Sequence, residues 1–162
     1  ARILGLEYPG GPAIEREAKG GDPDKIQFPR SLMGEDSLEF SFSGLKTSLL
    51  YFMDDFEETA SVSLKDVMAS YQQAIVDTLA EKVRRAVKKT GVKRCVIAGG
   101  VAANLCLRDR LNTVLSNQYI LFPDLSYCTD NAAMISYLGE LKMQSYSYEL
   151  LTFSVQPNLK LA

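Results

Sequence analysis

The stretch CVIAGGVAANLCLRDRL, residues 95–111, decides the fold. An apolar run, Cys95 to Ala98, stops at Gly99 and Gly100, passes through small residues to Asn104, and continues with apolar residues at helical spacing. That order reads as strand, tight turn, helix. In α/β sheets ligands bind beyond the carboxyl ends of strands. A backbone without Cβ atoms allows close approach there. Gly99 and Gly100 therefore fit either a tight strand-to-helix turn or a ligand cradle. The spacing is not G-x-G-x-x-G, and no G-K-[ST] follows, so neither dinucleotide nor P-loop fingerprints apply. Asn104 suits a helix N-cap, a ligand-facing amide, or both.

Downstream, QYILF, residues 118–122, reads as a second strand ended by Pro123, and TDNAAMISYLGELKM, residues 129–143, as a helix. Strand, helix, strand, helix at these lengths predicts parallel strands joined by helical crossovers. Within CTDN, Asp130 fits either a cap for that helix or a metal-binding carboxylate. One carboxylate alone makes no cation site.

Upstream, residues 63–91 form the strongest helical pattern. Ser63 and Asp66 predict a capping box. Leu64, Val67, Met68, Tyr71, Ile75, Leu79, Val83 and Val87 mark an apolar face, and Gly91 suits a C-cap. The end of this helix and the VKR after it hold seven basic residues against one acid. Lys82, Arg85, Lys88, Lys89, Lys93 and Arg94 fit a solvated face or a phosphate-contacting patch. Further upstream, LEFSFSG, residues 38–44, alternates as a half-buried strand should. It leads into a helix over residues 43–58 with Ser43 as N-cap. Ser43 and Gly44, with Lys46 near, could receive an anion at that helix end. In YPGGP, residues 8–12, Gly10 and Gly11 make a turn or admit a ligand, and Pro12 suits the first helical position.

Bulk properties bound these readings. The 162 residues fit one domain, with 46% hydrophobic and 23% charged residues and a net charge of −2. No run is long enough to span a membrane and no signal peptide opens the chain, so a cytoplasmic location is expected. Three cysteines without C-x-x-C spacing read as reduced thiols, with Cys95 in the core. The chain has no histidine, so it cannot by itself build a histidine-based triad or a histidine-rich metal site. A peptidase finds no support, because neither a Ser/His or Cys/His pair nor H-E-x-x-H is present. The opening ARILGLEY reads as the end of a helix, so the sequence is expected to be a piece of a longer protein.

Several segments together carry a resemblance. GLEYPGGPAIEREAKGG, FPRSLMG, EFSFSGLKTSLL, YQQAIVDTL, GVKRCVIAGGVAANLCLRDRL and CTDNAAMISYLG occur in this order in the TsaD family, bacterial branch. This family of tRNA threonylcarbamoyladenosine synthases was formerly called O-sialoglycoprotein endopeptidase or glycoprotease. The resemblance spans the chain to about Gly139. It implies an α/β fold: the latter part of the second lobe of an actin-like ATPase (sugar kinase/Hsp70/actin, ribonuclease H-like), with βαβ crossovers. Residues 1–162 would then be an incomplete C-terminal lobe of a two-lobed enzyme whose N-terminal lobe lies outside this chain.

The resemblance also implies a reaction, transfer of threonylcarbamoyl from threonylcarbamoyl-adenylate to N6 of the adenosine 3′ of the tRNA anticodon. It implies an adenylate or ATP-type nucleotide at Gly11 and Asn104, with Gly99 and Gly100 as neighbours. One divalent metal, iron or zinc, would be held by a His-x-x-x-His pair and an aspartate that matches Asp130. The partners implied are tRNA, an inactive paralogue and a small ATPase subunit, with no membrane. The histidine pair, the family's Ser-Gly-Gly-His loop and an aspartate before YPGG are absent, so the isolated chain is expected to be inert. The alternative is a non-catalytic binding partner or truncated paralogue within the same modification complex.

Overall fold

A computed structural model describes residues 1–31, 33–34, 37–57 and 61–145. The tail SVQPNLKLA, residues 154–162, which shows no periodicity, lies outside them. The chain divides into two compact units, Ala1–Thr129 and Asp130–Ala162.

The first unit is organised by one long helix. Its elements are α1 (Gly10–Glu17), α2 (Ser43–Asp54), α3 (Leu64–Thr90), β1 (Arg94–Val96), α4 (Leu105–Val114) and β2 (Tyr119–Leu121). At 1.5 Å per residue the 27-residue α3 runs roughly 40 Å, long enough to serve two cores. Its N-terminal half joins Leu4, Ala18, Phe28, Leu45 and Leu49 through Val67, Met68, Ala69 and Ala74. Its C-terminal half joins Leu107, Leu111 and Leu115 of the α4 region through Val76, Ala80 and Val87.

The ends of α3 form as the sequence predicts. Ser63 Oγ accepts from Asp66 N, the Asp66 carboxylate accepts from Ser63 N, and Gly91 closes the helix at φ 70°. The large apolar residues mark only part of what α3 buries. Tyr71, Ile75, Leu79 and Val83 are half-buried, whereas Ser70, Ala74, Thr78 and Ala80 are buried. The two hydroxyls are satisfied there. Ser70 Oγ donates to Asp22 O and accepts from Ile26 N, and Thr78 Oγ1 donates to Ala74 O.

β1 and β2 pair in parallel, with Arg94 opposite Tyr119, Cys95 opposite Ile120 and Val96 opposite Leu121. The crossover expected from the strand–helix–strand order is therefore present, with α4 between the strands. Burial alternates along each strand. Cys95 and Ile120 pack on the second core, while Val96 is 68% exposed on the other face. The strand is thus half-covered, not buried on both faces, and Cys95 is only partly buried. All three cysteines are free thiols.

Four expectations need correction. Residues 38–42 form no strand. Their alternation is real, since Phe40 and Phe42 lie side by side with ring centroids 5.5 Å apart. A strand also needs a ladder partner, and β1–β2 is the sheet among the described residues. Ser43 does not cap α2 either. It is the first helical residue, and Ser41 Oγ accepts from its N–H. That helix ends at Asp54, short of the expected boundary. Pro12 falls two residues inside α1, which starts at Gly10, still within the first turn where its missing N–H costs no hydrogen bond.

In the second unit, α5 covers Ala132–Ser145. Asn131, the residue before it, caps it: Asn131 Oδ1 accepts from Met134 N at 3.0 Å. Capping therefore falls to Asn131 and not to Asp130.

Two carboxylates give the fold an acid dependence. Backbone hydrogen bonds from Asp22 and then Ser63, with the Ser63 hydroxyl, lower Asp66 from 3.8 to about 2. Arg84 and Arg85 lower Glu81 from 4.5 to about 2. Both folded-state values lie below the unfolded ones. Their contribution is complete above the unfolded values and is lost as pH falls from about 4.5 to about 2. The urea midpoint should hold steady above about pH 5 and fall below it, with a shallower fall in Asp66→Asn. An identical acid limb in wild type and Asp66→Asn would show that Asp66 is not responsible.

Candidate functional site

The turn after β1 is built from bare backbone. Gly99 has φ 91°, a conformation L side chains rarely adopt, so glycine is required there by the chain itself. Gly100 begins a short 3-10 helix, Gly100–Ala103, closed by Ala102 N donating to Gly99 O at 2.9 Å. Among the described residues, a Cβ on Gly99, Gly100 or Gly11 would meet nothing within 4 Å beyond its immediate chain neighbours and its own helix. Packing therefore does not explain glycine at positions 11 and 100.

Asn104 works with its side chain. Its Oδ1 accepts from Leu107 N at 2.8 Å, capping α4, and its Nδ2 donates to Gln72 Oε1 on α3 at 3.0 Å. Both ends of the amide are thus engaged, with one Nδ2 hydrogen left over. Glu15 completes the α4 N-terminus. Its Oε1 accepts from Leu105 N at 2.7 Å, across 90 residues of sequence. Negative charge is favourable at that helix end. Gly11 and Glu15 lie four residues apart on α1 and share a face. The YPGG turn and the GGVAAN turn are thereby tied to one helix end.

Arg108 holds the same turn from behind. Its Nε donates to Ala102 O at 2.6 Å and its Nη2 to Pro123 O at 2.7 Å. Nη2 also lies 3.3 Å from buried Cys128 Sγ, and Cζ sits 4.9 Å over the Phe122 ring. One planar fork thus joins the glycine turn to the end of β2. The sequence reading missed Glu15, Gln72 and Arg108. Only Arg108 left a signal there, as a charge on the inner turn of a helix beside an apolar run.

The basic run of the first unit does not join this site. Asp130 is exposed and opens the second unit. Among the described residues no group of three His, Cys, Asp or Glu side chains could hold a metal. The described residues do not by themselves fit a divalent ion, because Asp130 is one carboxylate without companions. The basic patch is also divided. Lys82 is buried, with Nζ donating to Ser37 O, and Arg85 is engaged by Glu81, Met33 O and Gly34 O. Those two cations fasten Met33, Gly34 and Ser37 to α3. Lys88, Lys89, Lys93 and Arg94 are exposed. No helix among the described residues is long and apolar enough to cross a membrane.

A parallel βαβ unit with a bare-backbone turn at the carboxyl end of its first strand defines an α/β protein, the class in which ligands bind beyond strand ends. The chain belongs to the TsaD family, described as tRNA N6-adenosine threonylcarbamoyltransferase, whose sequence model matches residues 1–137. Curated relatives of that name are 44% identical in Thermotoga neapolitana, covering 98% of this chain and 48% of the relative, and 45% identical in Thermosipho africanus, covering 99% and 49%. A third, from Salinibacter ruber, is 44% identical over 99% of this chain and 50% of the relative. The chain spans about half the length of these relatives. The crystal structure of T. kodakarensis HypF is similar in fold, with TM-score 0.60 and 23% identity over 86% of this chain and 18% of that one. Family and fold likeness are consistent with an actin-like ATPase-type fold.

Proposed function

We propose that residues 1–162 form the latter part of the second lobe of a two-lobed tRNA threonylcarbamoyltransferase and supply part of its adenylate pocket. Family membership across residues 1–137 carries this reading. The convergence of Gly11's helix and the Gly99–Asn104 turn on the α4 N-terminus supports it. In this reading the adenylate of threonylcarbamoyl-adenylate lies against Gly99 and Gly100. Gly11 admits it from the α1 side, and Asn104 fixes the turn through its cap and offers its remaining amide hydrogen. The attacking atom is N6 of the tRNA adenosine. It forms a bond to the threonylcarbamoyl carbonyl carbon, loses a proton, and AMP departs with the anhydride oxygen. A mixed anhydride is already activated, so this chain's contribution is to position it and exclude water.

Asp130 contributes one carboxylate to a divalent metal whose other ligands come from outside this sequence. The inactive paralogue and small ATPase belong to the same reading as partners of the assembled enzyme. The non-catalytic alternative is not favoured, because the curated relatives are named as transferases.

A chimaera tests the proposal. This sequence replaces the matching half of the Thermotoga neapolitana protein, and transfer of labelled threonylcarbamoyl to unmodified tRNA is measured. Activity is expected, with AMP affinity reduced roughly tenfold by Asn104→Ala as the turn loses its cap. A folded chimaera that binds AMP and tRNA but transfers nothing would refute the reading.

A further inference from the structure

A cleft of about 680 Å³ opens at the other end of the sheet, away from the glycine turn. It lies between the end of α3, the turn into β1 and the turn into β2. Val87, Val92, Val114 and Leu115 contribute apolar surface, with Val87 and Leu115 buried. Arg84, Lys88 and Lys93 bring three cations, Asn117 and Gln118 bring two carboxamides, and among the described residues no acidic one lines it. Of the cations, Arg84 is paired with Glu81. Neither Lys88 nor Lys93 has an ion-pair partner among the described residues.

We infer that this cleft takes a nucleotide of single-stranded or looped RNA, a second anchor for the tRNA at a distance from the adenylate pocket. The inference rests on the transferase reading for the identity of the RNA. The chemistry of the lining favours a nucleotide over a bare anion. Lys88 and Lys93 match a backbone phosphate. The valine and leucine surface suits one face of an unstacked base. Carboxamides carry both donors and acceptors, as base edges do. A basic residue on the last turn of α3 also answers the helix dipole, and that role explains Lys88 and Lys89. It does not explain Lys93, which follows the C-cap, or the carboxamides across the cleft.

Binding of unmodified tRNA to the full 162-residue chain, followed against salt, decides the matter. Lys88→Gln/Lys93→Gln is expected to weaken binding roughly tenfold at low salt and to reduce the log–log salt slope by about 0.7, the value for one phosphate on a single strand. Asn117→Ala/Gln118→Ala should weaken binding about threefold with the slope unchanged, because no phosphate contact is lost. Lys19→Gln/Lys65→Gln, exposed lysines outside the cleft, serves as the charge-matched control and should bind as wild type. Circular dichroism of each variant confirms that the fold is kept. If the cleft variants bind with wild-type affinity and slope, the cleft is overturned while the transferase reading stands. If the lysine variant and the control lose affinity equally, the effect is overall charge and the cleft is again overturned. If the wild-type chain does not bind tRNA, the cleft falls, and the transferase reading is decided separately by the chimaera.

Discussion

Arg108→Ala is expected to lower unfolding free energy by about 2–4 kcal/mol, and hydrogen exchange at the Ala102 and Asn104 amides should accelerate with it. The estimate follows from what the guanidinium satisfies. Two carbonyls, Ala102 O and Pro123 O, accept from it at 2.6 and 2.7 Å, and hydrogen bonds to charged donors are the stronger kind. Truncation leaves both carbonyls half-buried without that donor and removes the cation from the Phe122 ring. The loss is local as well as global. Arg108 joins the 3-10 turn after β1 to the segment after β2, so without it the turn should loosen before the rest of the unit opens. Arg108→Lys retains the charge without the fork and should recover less than half of the loss. Under the proposed function, AMP affinity falls in the same order, wild type above lysine above alanine. A stability change below about 0.5 kcal/mol for alanine would mean that water replaces the guanidinium without cost, and the clamp would not exist.

Different parts of this molecule were legible in the sequence to different degrees, for physical reasons. The capping box at Ser63 and the left-handed Gly91 were plain, because capping chemistry is local and residue-specific. The parallel β1–α4–β2 unit was legible from its order of apolar runs, because a short crossover leaves few alternatives. The strand expected over residues 38–44 failed, because alternation describes one chain while a strand requires a second. Glu15 was invisible, because its partner Leu105 N lies 90 residues away and its backbone donor has no side-chain signature. The basic run was legible as charge but not as role. Burial turned Lys82 inward and carbonyls engaged Arg85, whereas Lys88 and Lys93 stayed at the cleft. Positions 11 and 100 show a different limit. Their glycines have neither positive φ nor a crowding neighbour among the described residues. Their meaning depends on the proposed ligand, which no local pattern could supply.

Gly21→Ala is expected to cost about 3 kcal/mol, a large fraction of the stability of a domain this size. The added Cβ would overlap the carbonyl of Lys65, lying 2.5 Å from its carbon and 3.0 Å from Asp66 N. These are backbone atoms in the first turn of α3, so no rotamer change relieves the overlap. The chain must retreat as a unit. Retreat breaks neighbouring contacts, because Asp22 N donates to Asp66 Oδ1 at 2.7 Å and Ser70 Oγ bridges Asp22 O and Ile26 N. The substitution should therefore also weaken the backbone hydrogen bond that contributes most to lowering Asp66, so that less stability is lost between pH 7 and pH 3.5 than in wild type. Gly20→Ala, its neighbour, is the informative comparison. Gly20 has φ 83° and open space around it, so its penalty is conformational, about 1 kcal/mol, and should leave the acid limb in place. Chemical denaturation of both variants at pH 7 and pH 3.5 separates the two causes. A Gly21→Ala protein as stable as Gly20→Ala would show that the turn after α1 and α3 are not in contact at Lys65.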